Sequence, residues 1–167
     1  MLDSLRVSLW KLASRLFPAY RGTGGRITHV EPDWSRVEVT LPLSLRTRNY
    51  VGTIFGGSMY GCVDPIYMLM LIRRLPSAYT VWDKAAEIRF EKPGRDTLHA
   101  EFEVSDAEVS DIRGSLSPGE SLDREYTVEL VDDEGVVHAT VEKTLYVRQD
   151  RPEGLLGRVR SWLARGD

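Results

Sequence analysis

The sequence predicts an α+β domain in which an antiparallel β-sheet wraps around a long central α-helix. The stretch from Met59 to Ile72 is apolar on every side and carries one charge, at Asp64. A helix with that pattern is buried by other elements. About five further segments alternate apolar and polar residues, as strands with a single buried face do. A surrounding sheet is the economical way to cover such a helix.

Turn and helix signals separate the alternating segments. Pro93-Gly94 and the run 133–135 (Asp-Glu-Gly) are turn signals, and Asp106 is expected to cap a short helix. Lys143 stands in the last segment where an apolar residue is expected, and its pattern gives no reason for it. The apolar positions are Val37, Val39, Leu41, Leu43, Ala86, Ile88, Phe90, Leu98, Ala100, Phe102, Val104, Tyr126, Val128, Leu130, Val137, Ala139, Val141, Leu145 and Val147.

The 167 residues suffice for one domain, with a core over about 20–149 and a helix at each end. A helix over about 4–17, ended by Pro18, is expected to dock on the domain. A second helix over about 154–165 is expected to pack on the domain or on a partner subunit. Contact with a membrane surface is the alternative for both. Their apolar faces are Leu5, Leu9, Leu12 and Leu16, and Leu155, Leu156, Val159, Trp162 and Leu163.

Composition excludes several classes of function. The net charge of −3 gives no basic footprint for nucleic acid. The single cysteine, Cys62, excludes an internal disulfide and a cysteine-based zinc cluster, and it fits a reducing cytoplasm. His29, His99 and His138 lie in or beside strand segments, so no metal site is expected. Asp64-Pro65 interrupts the apolar run, so no transmembrane segment is expected, and the N-terminus lacks the apolar core of a signal peptide. A cytoplasmic protein is expected.

The pair Asp64-Pro65 leaves two possibilities for the central helix. Asp-Pro is a good pair for the first positions of a helix, so the helix would begin at Asp64. Alternatively, Pro65 removes one hydrogen bond inside a longer helix and bends it there. The spacing from Gly57 favours the bent helix.

The stretch 49–64 resembles a known signature. Its spacing, Asn49, six residues, Gly56-Gly57, six residues, Asp64, is similar to that of phenylacetyl-CoA (PaaI-type) thioesterases of the hotdog fold, which carry Asn, His-Gly-Gly and an acidic residue. The phrases NYVGTIFGGSMYGCVDPIYMLML and VWDKAAEIRFEKPG resemble the DUF4442 hotdog family more closely. This resemblance extends over roughly 20–148. It implies a hotdog fold, a sheet wrapped on one helix, in a homodimer that often pairs again into a tetramer.

The same resemblance implies a substrate and a set of roles. The substrate would be a thioester of coenzyme A or of an acyl carrier protein, with no cofactor apart from the coenzyme A of the substrate. Gly57 would present its N–H to the thioester carbonyl, Asp64 would attack or activate water, and Asn49 would orient water or substrate. Phe55 stands where the thioesterases carry His. The expected substrate-binding residues are Phe55, Gly56, Ser58, Tyr60, Trp82 and Lys84.

Physical chemistry supports part of this assignment. A helix N-terminus has unpaired N–H groups and the positive end of the helix dipole, which suit a carbonyl that becomes negative in the transition state. Asp64 follows Gly57 by seven residues, roughly 10 Å along the axis. That distance is long for one reacting carbon. We therefore expect Asp64 to act on the glycine loop of a second subunit.

Other roles remain open. Lys84 shares strand parity with Ala86, which predicts an inward side chain paired with Asp64 or Asp83; a later strand start would leave it exposed. Pairing with Asp64 would keep the carboxylate ionised and make it a poorer base. Ser58 is expected to be the N-cap of the helix rather than a nucleophile. Asn49 either serves the site or caps its own loop, and Trp82 either lines an acyl pocket or fills the core.

Three functions therefore compete. The leading hypothesis is hydrolysis of an acyl-CoA thioester. The second is a hotdog protein that binds acyl thioesters or lipids without catalysis, because Phe55 closes the site. The third is a structural oligomer in which Asp64 and Lys84 lock the interface.

Overall fold

A single antiparallel sheet is the largest element of the computed structural model, which describes residues 17–151. The strand order is β1-β2-β4-β5-β6-β3. This sheet with few helices confirms the predicted α+β class, although β1 was not among the expected strands. The predicted helices over 4–17 and 154–165 lie outside the described residues, apart from residue 17. The strands are β1 (Arg26–Val30), β2 (Arg36–Leu41), β3 (Tyr79–Phe90), β4 (Leu98–Glu103), β5 (Ser121–Val131) and β6 (Val137–Gln149).

Four helices connect or cover these strands: α1 (Pro18–Thr23), α2 (Gly56–Val63), α3 (Ile66–Arg74) and α4 (Asp106–Ser115). Pro18 begins α1, a position where its missing N–H has no partner to lose. The cap of α4 is Ser105, whose side chain accepts a hydrogen bond from the Glu108 N–H, and not Asp106 as predicted.

The central stretch forms two helices, α2 and α3, which are interrupted at Asp64-Pro65. The Asp64 N–H donates to the Tyr60 carbonyl at 2.9 Å, and the Leu69 N–H donates to the Pro65 carbonyl at 3.0 Å. The helical hydrogen bonding therefore continues through Asp64, and α3 begins directly after Pro65, which cannot donate a hydrogen bond. The alternative of a helix that starts at Asp64 is wrong.

The sheet buries one side of α2 and α3. Ile66 and Met70 of α3 are fully buried, whereas Ile72 is exposed and Met68 is half-buried. The expectation of a helix enclosed on all sides is therefore wrong for residues 17–151, because those residues leave the outward face of α3 uncovered. The core positions predicted for Met59 and Cys62 are confirmed.

Strand β3 forms one edge of the sheet and is 12 residues long. It pairs with β6 on one side only within residues 17–151. A β-bulge between Asp83 and Ala85 shifts its register against β6. Long exposed edges are templates for pairing with another strand, and this edge lies beside the central helix.

Candidate functional site

The N-terminus of α2 is built from Phe55, Gly56 and Gly57. Phe55 occupies the N-cap position with extended backbone, and its carbonyl accepts hydrogen bonds from the N–H groups of Ser58 and Met59. No side chain within residues 17–151 caps this helix. The first N–H groups of a helix have no intrahelical acceptor, so this end offers donors. The prediction that Ser58 is the N-cap is wrong, because Phe55 holds that position and Ser58 is the buried third residue of α2.

Two aromatic rings lie against the glycines. A Cβ atom built on Gly56 would lie 2.8 Å from Phe90 Cζ, and one on Gly57 would lie 2.3 Å from Phe55 Cε1. Both rings are more than half exposed. Glycine is therefore needed at both positions for the rings to pack this closely, and Phe55 screens the backbone of Gly57.

Asp64 lies at the other end of α2 in a network of charged and polar groups. Its Oδ1 accepts a hydrogen bond from Tyr60 Oη at 2.6 Å and one from Lys143 Nζ at 2.5 Å. Lys143 also contacts Asp83 Oδ1 at 2.7 Å, and its Nζ lies 5.5 Å from the centre of the Tyr60 ring. The side chain of Lys143 is 1% exposed and that of Asp64 is 37% exposed. The contacts at Oδ1 thus fix one oxygen of the Asp64 carboxylate, while the side chain keeps contact with solvent.

The network keeps its protons on Lys143 and Tyr60. Burial by itself lowers the pKa of Lys143, but the hydrogen bonds and charges of Asp64 and Asp83 outweigh burial, so the pKa lies above its usual value. Burial, followed by the hydrogen bond to Asp64, raises the pKa of Tyr60. Asp64 therefore acts as the hydrogen-bond acceptor of both groups.

The lysine that pairs with Asp64 is Lys143 and not Lys84. The side chain of Lys84 is 54% exposed and contacts Asp123 Oδ2 at 2.5 Å, so the predicted inward orientation is wrong. The later strand start offered as the alternative is also wrong, because β3 begins at Tyr79. The β-bulge explains why Lys84 points outward. Beyond the bulge Ala86 lies opposite Lys143, but before it Asp83, rather than Lys84, lies opposite the buried Leu145. A role for Lys84 toward substrate stays a prediction.

Sequence reasoning missed Lys143 as a site residue. It lies in β6 two residues from each of the buried Val141 and Leu145, so its side chain shares their face. That inward register was the signal, because a buried lysine needs a carboxylate partner. The parity of β3, counted without its bulge, pointed to Lys84 instead.

The amide of Asn49 is used within its own loop. Its Oδ1 accepts from the N–H groups of Val51 and Thr53, at 3.1 and 3.0 Å, and its Nδ2 donates to Thr53 Oγ1 at 2.8 Å. These bonds agree with the alternative that Asn49 caps the loop before α2. A further role of Asn49 toward substrate stays a prediction.

Trp82 lies on β3 opposite Tyr146, next to the inward-facing pair of Asp83 and Leu145. Its side chain is 63% exposed, so the alternative that it fills the core is wrong. Neighbouring residues of a strand point to opposite faces, which places Trp82 on the face of the sheet away from α2. A role in acyl binding stays a prediction.

Metal and membrane features can be assessed for residues 17–151 only. That part of the chain contains no group of three His, Cys, Asp or Glu residues that would hold a metal ion. Each histidine instead contacts one carboxylate, of Glu31, Asp133 or Asp132. No helix within the same range is long and apolar enough to cross a membrane.

Comparisons with known proteins agree with this architecture. The model of the family described as "Domain of unknown function (DUF4442)" matches residues 6–147. No curated protein matches the chain. A Pseudomonas aeruginosa protein of unknown function, described as a probable thioesterase, superposes with a TM-score of 0.76 at 16% identity, over 84% of this chain and 94% of that one.

Two further solved structures share the fold. A thioesterase from Haemophilus influenzae gives a TM-score of 0.65 at 17% identity, with 86% of this chain and 90% of that chain covered. A protein of unknown function from Chlorobaculum tepidum gives 0.69 at 13% identity, with 89% and 95% covered. At these identities the structural likeness establishes a thioesterase-like hotdog fold.

Proposed function

Because the chain belongs to the DUF4442 family and shares its fold with structures described as thioesterases, we propose that it hydrolyses an acyl thioester at the interface of a homodimer. The acyl group would be carried by coenzyme A or by an acyl carrier protein. The observation that carries this proposal is the pairing, on one helix, of an uncapped glycine N-terminus with the partly exposed carboxylate of Asp64.

The edge of β3 supports a dimer. Trp82 and Phe90 on this strand are exposed, and the strand has no second partner within residues 17–151. A second copy pairing antiparallel along this edge would satisfy its N–H and C=O groups. A register centred between Ala86 and Glu87 would set Phe90, which packs on Gly56, opposite Asp83 of the second copy. Each glycine N-terminus would then lie near the Asp64 network of the other subunit.

The chemistry divides between the two subunits of such a dimer. The N–H of Gly57 would donate to the thioester oxygen as it becomes negative, a contribution worth about 3 kcal/mol for one donor in known hydrolases. Asp64 of the other subunit would orient water and accept its proton as the water oxygen adds to the carbonyl carbon. The carbon–sulfur bond then breaks, and the released thiolate takes up the proton. The products are a carboxylic acid and a free thiol.

Lys143 and Tyr60 position Asp64 in this scheme. They hold Oδ1, which leaves Oδ2 as the oxygen that would face water. These two contacts fix the orientation of the Asp64 carboxylate toward the proposed water. Tyr60 thus contributes through Asp64 and not through direct contact with the acyl group.

Binding without turnover is the second candidate, and two observations favour it. Phe55 covers Gly57 at the place where the PaaI-type thioesterases carry His, and Lys143 holds Asp64 in an ion pair. With Gly57 covered and Asp64 held in an ion pair, the dimer interface would bind a thioester without hydrolysing it.

The two candidates separate in a single assay. Thiol release would be measured on a panel of coenzyme A thioesters with short, long and aromatic acyl groups. We expect turnover by the wild type, a loss of about 100-fold or more in Asp64→Asn, and no loss in the control Asp133→Asn, an exposed turn residue. Full turnover by a folded Asp64→Asn would contradict hydrolysis through Asp64. Tight binding of acyl-CoA by the wild type with no turnover would select the second candidate.

A further inference from the structure

A cavity of about 640 Å³ lies between the central helix, α1 and β1. We call it the outer groove. Its walls come from the start of α1, from β1 and from the junction between α2 and α3. The residues used below are Phe17, Tyr20, Asp64, Pro65, Met68 and Leu69.

The outer groove is an apolar surface that the described residues leave open. Phe17 is 63% exposed, and Met68 and Leu69 are half-buried although both sit in the middle of α3. Contiguous exposed apolar surface of this kind is typical of a binding site. Asp64 lies at its wall, so whatever covers the outer groove also covers one approach to that carboxylate.

The chain itself supplies an occupant of matching chemistry. Residues 1–16 directly precede Phe17, which lines the outer groove, and they carry Leu5, Leu9, Leu12 and Leu16 at helical spacing. Arg6, Lys11 and Arg15 flank this leucine face and suit a surface that contains Asp64. A helix of 16 residues is about 24 Å long, against about 12 Å for the stretch from Gly61 to Leu69.

The connection to the outer groove is short. Phe17 has extended backbone immediately before α1 begins at Pro18, so the chain leaves the helical direction at that residue. A segment tethered this closely has a high effective concentration at its site. The other terminal segment starts elsewhere: Arg151 lies beside Gly119, and neither residue lines the outer groove.

We propose that residues 1–16 fold back on their own chain as an amphipathic helix, and that the leucine face of this helix fills the outer groove and covers Asp64 from that side. This docking does not depend on whether the site hydrolyses thioesters. Its consequence is that substrate would reach Asp64 only from the edge of β3.

Methyl NMR of the full chain with ¹³C-labelled methionine methyl groups tests the docking directly. Met68 lines the outer groove, while Met59 and Met70 are fully buried and report an intact core. We expect the double substitution Leu9→Lys, Leu12→Lys to move the Met68 signal by more than its linewidth and to leave the Met59 and Met70 signals in place. The matched control Ser14→Lys adds a charge on the opposite side of the same helix, so the Met68 signal should not move.

A Met68 signal that stays in its wild-type position in the Leu9→Lys, Leu12→Lys variant would overturn the proposal. Unlabelled wild-type chain titrated into the labelled double variant separates a second copy from the same chain. Return of the Met68 signal to its wild-type position in that titration would show that another copy fills the outer groove, which also overturns it. A wild-type Met68 signal that moves only when phosphatidylglycerol vesicles are added would assign the outer groove to lipid and would overturn the proposal as well.

Discussion

The central helix meets the sheet through two contacts of different chemistry, which we call the aromatic side and the ionic side. On one side Tyr67 of α3 packs edge-on against Phe102 of β4, with ring centres 5.0 Å apart, and stacks on Tyr126 of β5 at 4.4 Å. On the other side Asp64 meets a lysine of β6 and, through it, a carboxylate of β3. No charged group takes part in these two ring contacts, and Tyr67 Oη also donates a hydrogen bond to the Thr127 carbonyl at 3.1 Å.

The difference concerns what each contact contributes to stability. Burying an aromatic ring stabilises the fold because it removes a large apolar area from water. A buried ion pair has to recover the desolvation of both charges, and its replacement by apolar residues is often neutral or stabilising. The ionic side is therefore the side where a role other than stability is expected.

The largest expected effect lies on the aromatic side. Phe102→Ala should lower the free energy of unfolding by about 3–5 kcal/mol, because it removes a fully buried ring and leaves a cavity. Urea titration of the variant measures this loss. Leu45→Ala, at an exposed position, serves as the control and should stay within about 0.5 kcal/mol of the wild type. Equal losses in the two variants would remove the contrast between the sides.

Lys143→Met should cost less, about 3 kcal/mol. It leaves two neighbouring carboxylates without their cation, and both keep part of their contact with water. Adding Asp64→Asn and Asp83→Asn should recover most of the loss, which would identify charge rather than packing as its cause. If the single variant unfolds at the wild-type urea concentration, the network does not hold the helix in solution.

Lys84→Ala should have the smallest effect, within about 0.5 kcal/mol, because its ion pair with Asp123 is exposed. The same urea titration compares it with Lys143→Met. A loss as large as that of Lys143→Met would mean that the two lysines exchange partners in solution.

The two lysines also show how far sequence reasoning reaches. The alternation correctly places Ala86 opposite a buried position, Lys143, but Ala86 and Phe90 are themselves exposed. The need of a buried lysine for Asp64 or Asp83 is correct chemistry. A bulge adds one residue to a strand and reverses the parity beyond it. No residue type near Lys84 signals that bulge, so the prediction selected the wrong lysine.

The central helix gives the opposite case. Pro65 cannot donate a hydrogen bond, so the interruption of the helix at Asp64-Pro65 is visible in the sequence. Gly56 and Gly57, which precede it, can likewise be identified directly from the sequence. That Phe55 and Phe90 lie against these glycines depends on contacts between distant residues, which alternation and spacing do not encode.

The proposed role of the ionic side rests most directly on Asp64. The decisive measurement is the rate of thiol release from the best acyl-CoA substrate by Asp64→Asn, compared with the wild type at equal unfolding stability. We expect a fall of about 100-fold or more. An unchanged rate would show that the carboxylate between Tyr60 and Lys143 serves the fold and not the reaction.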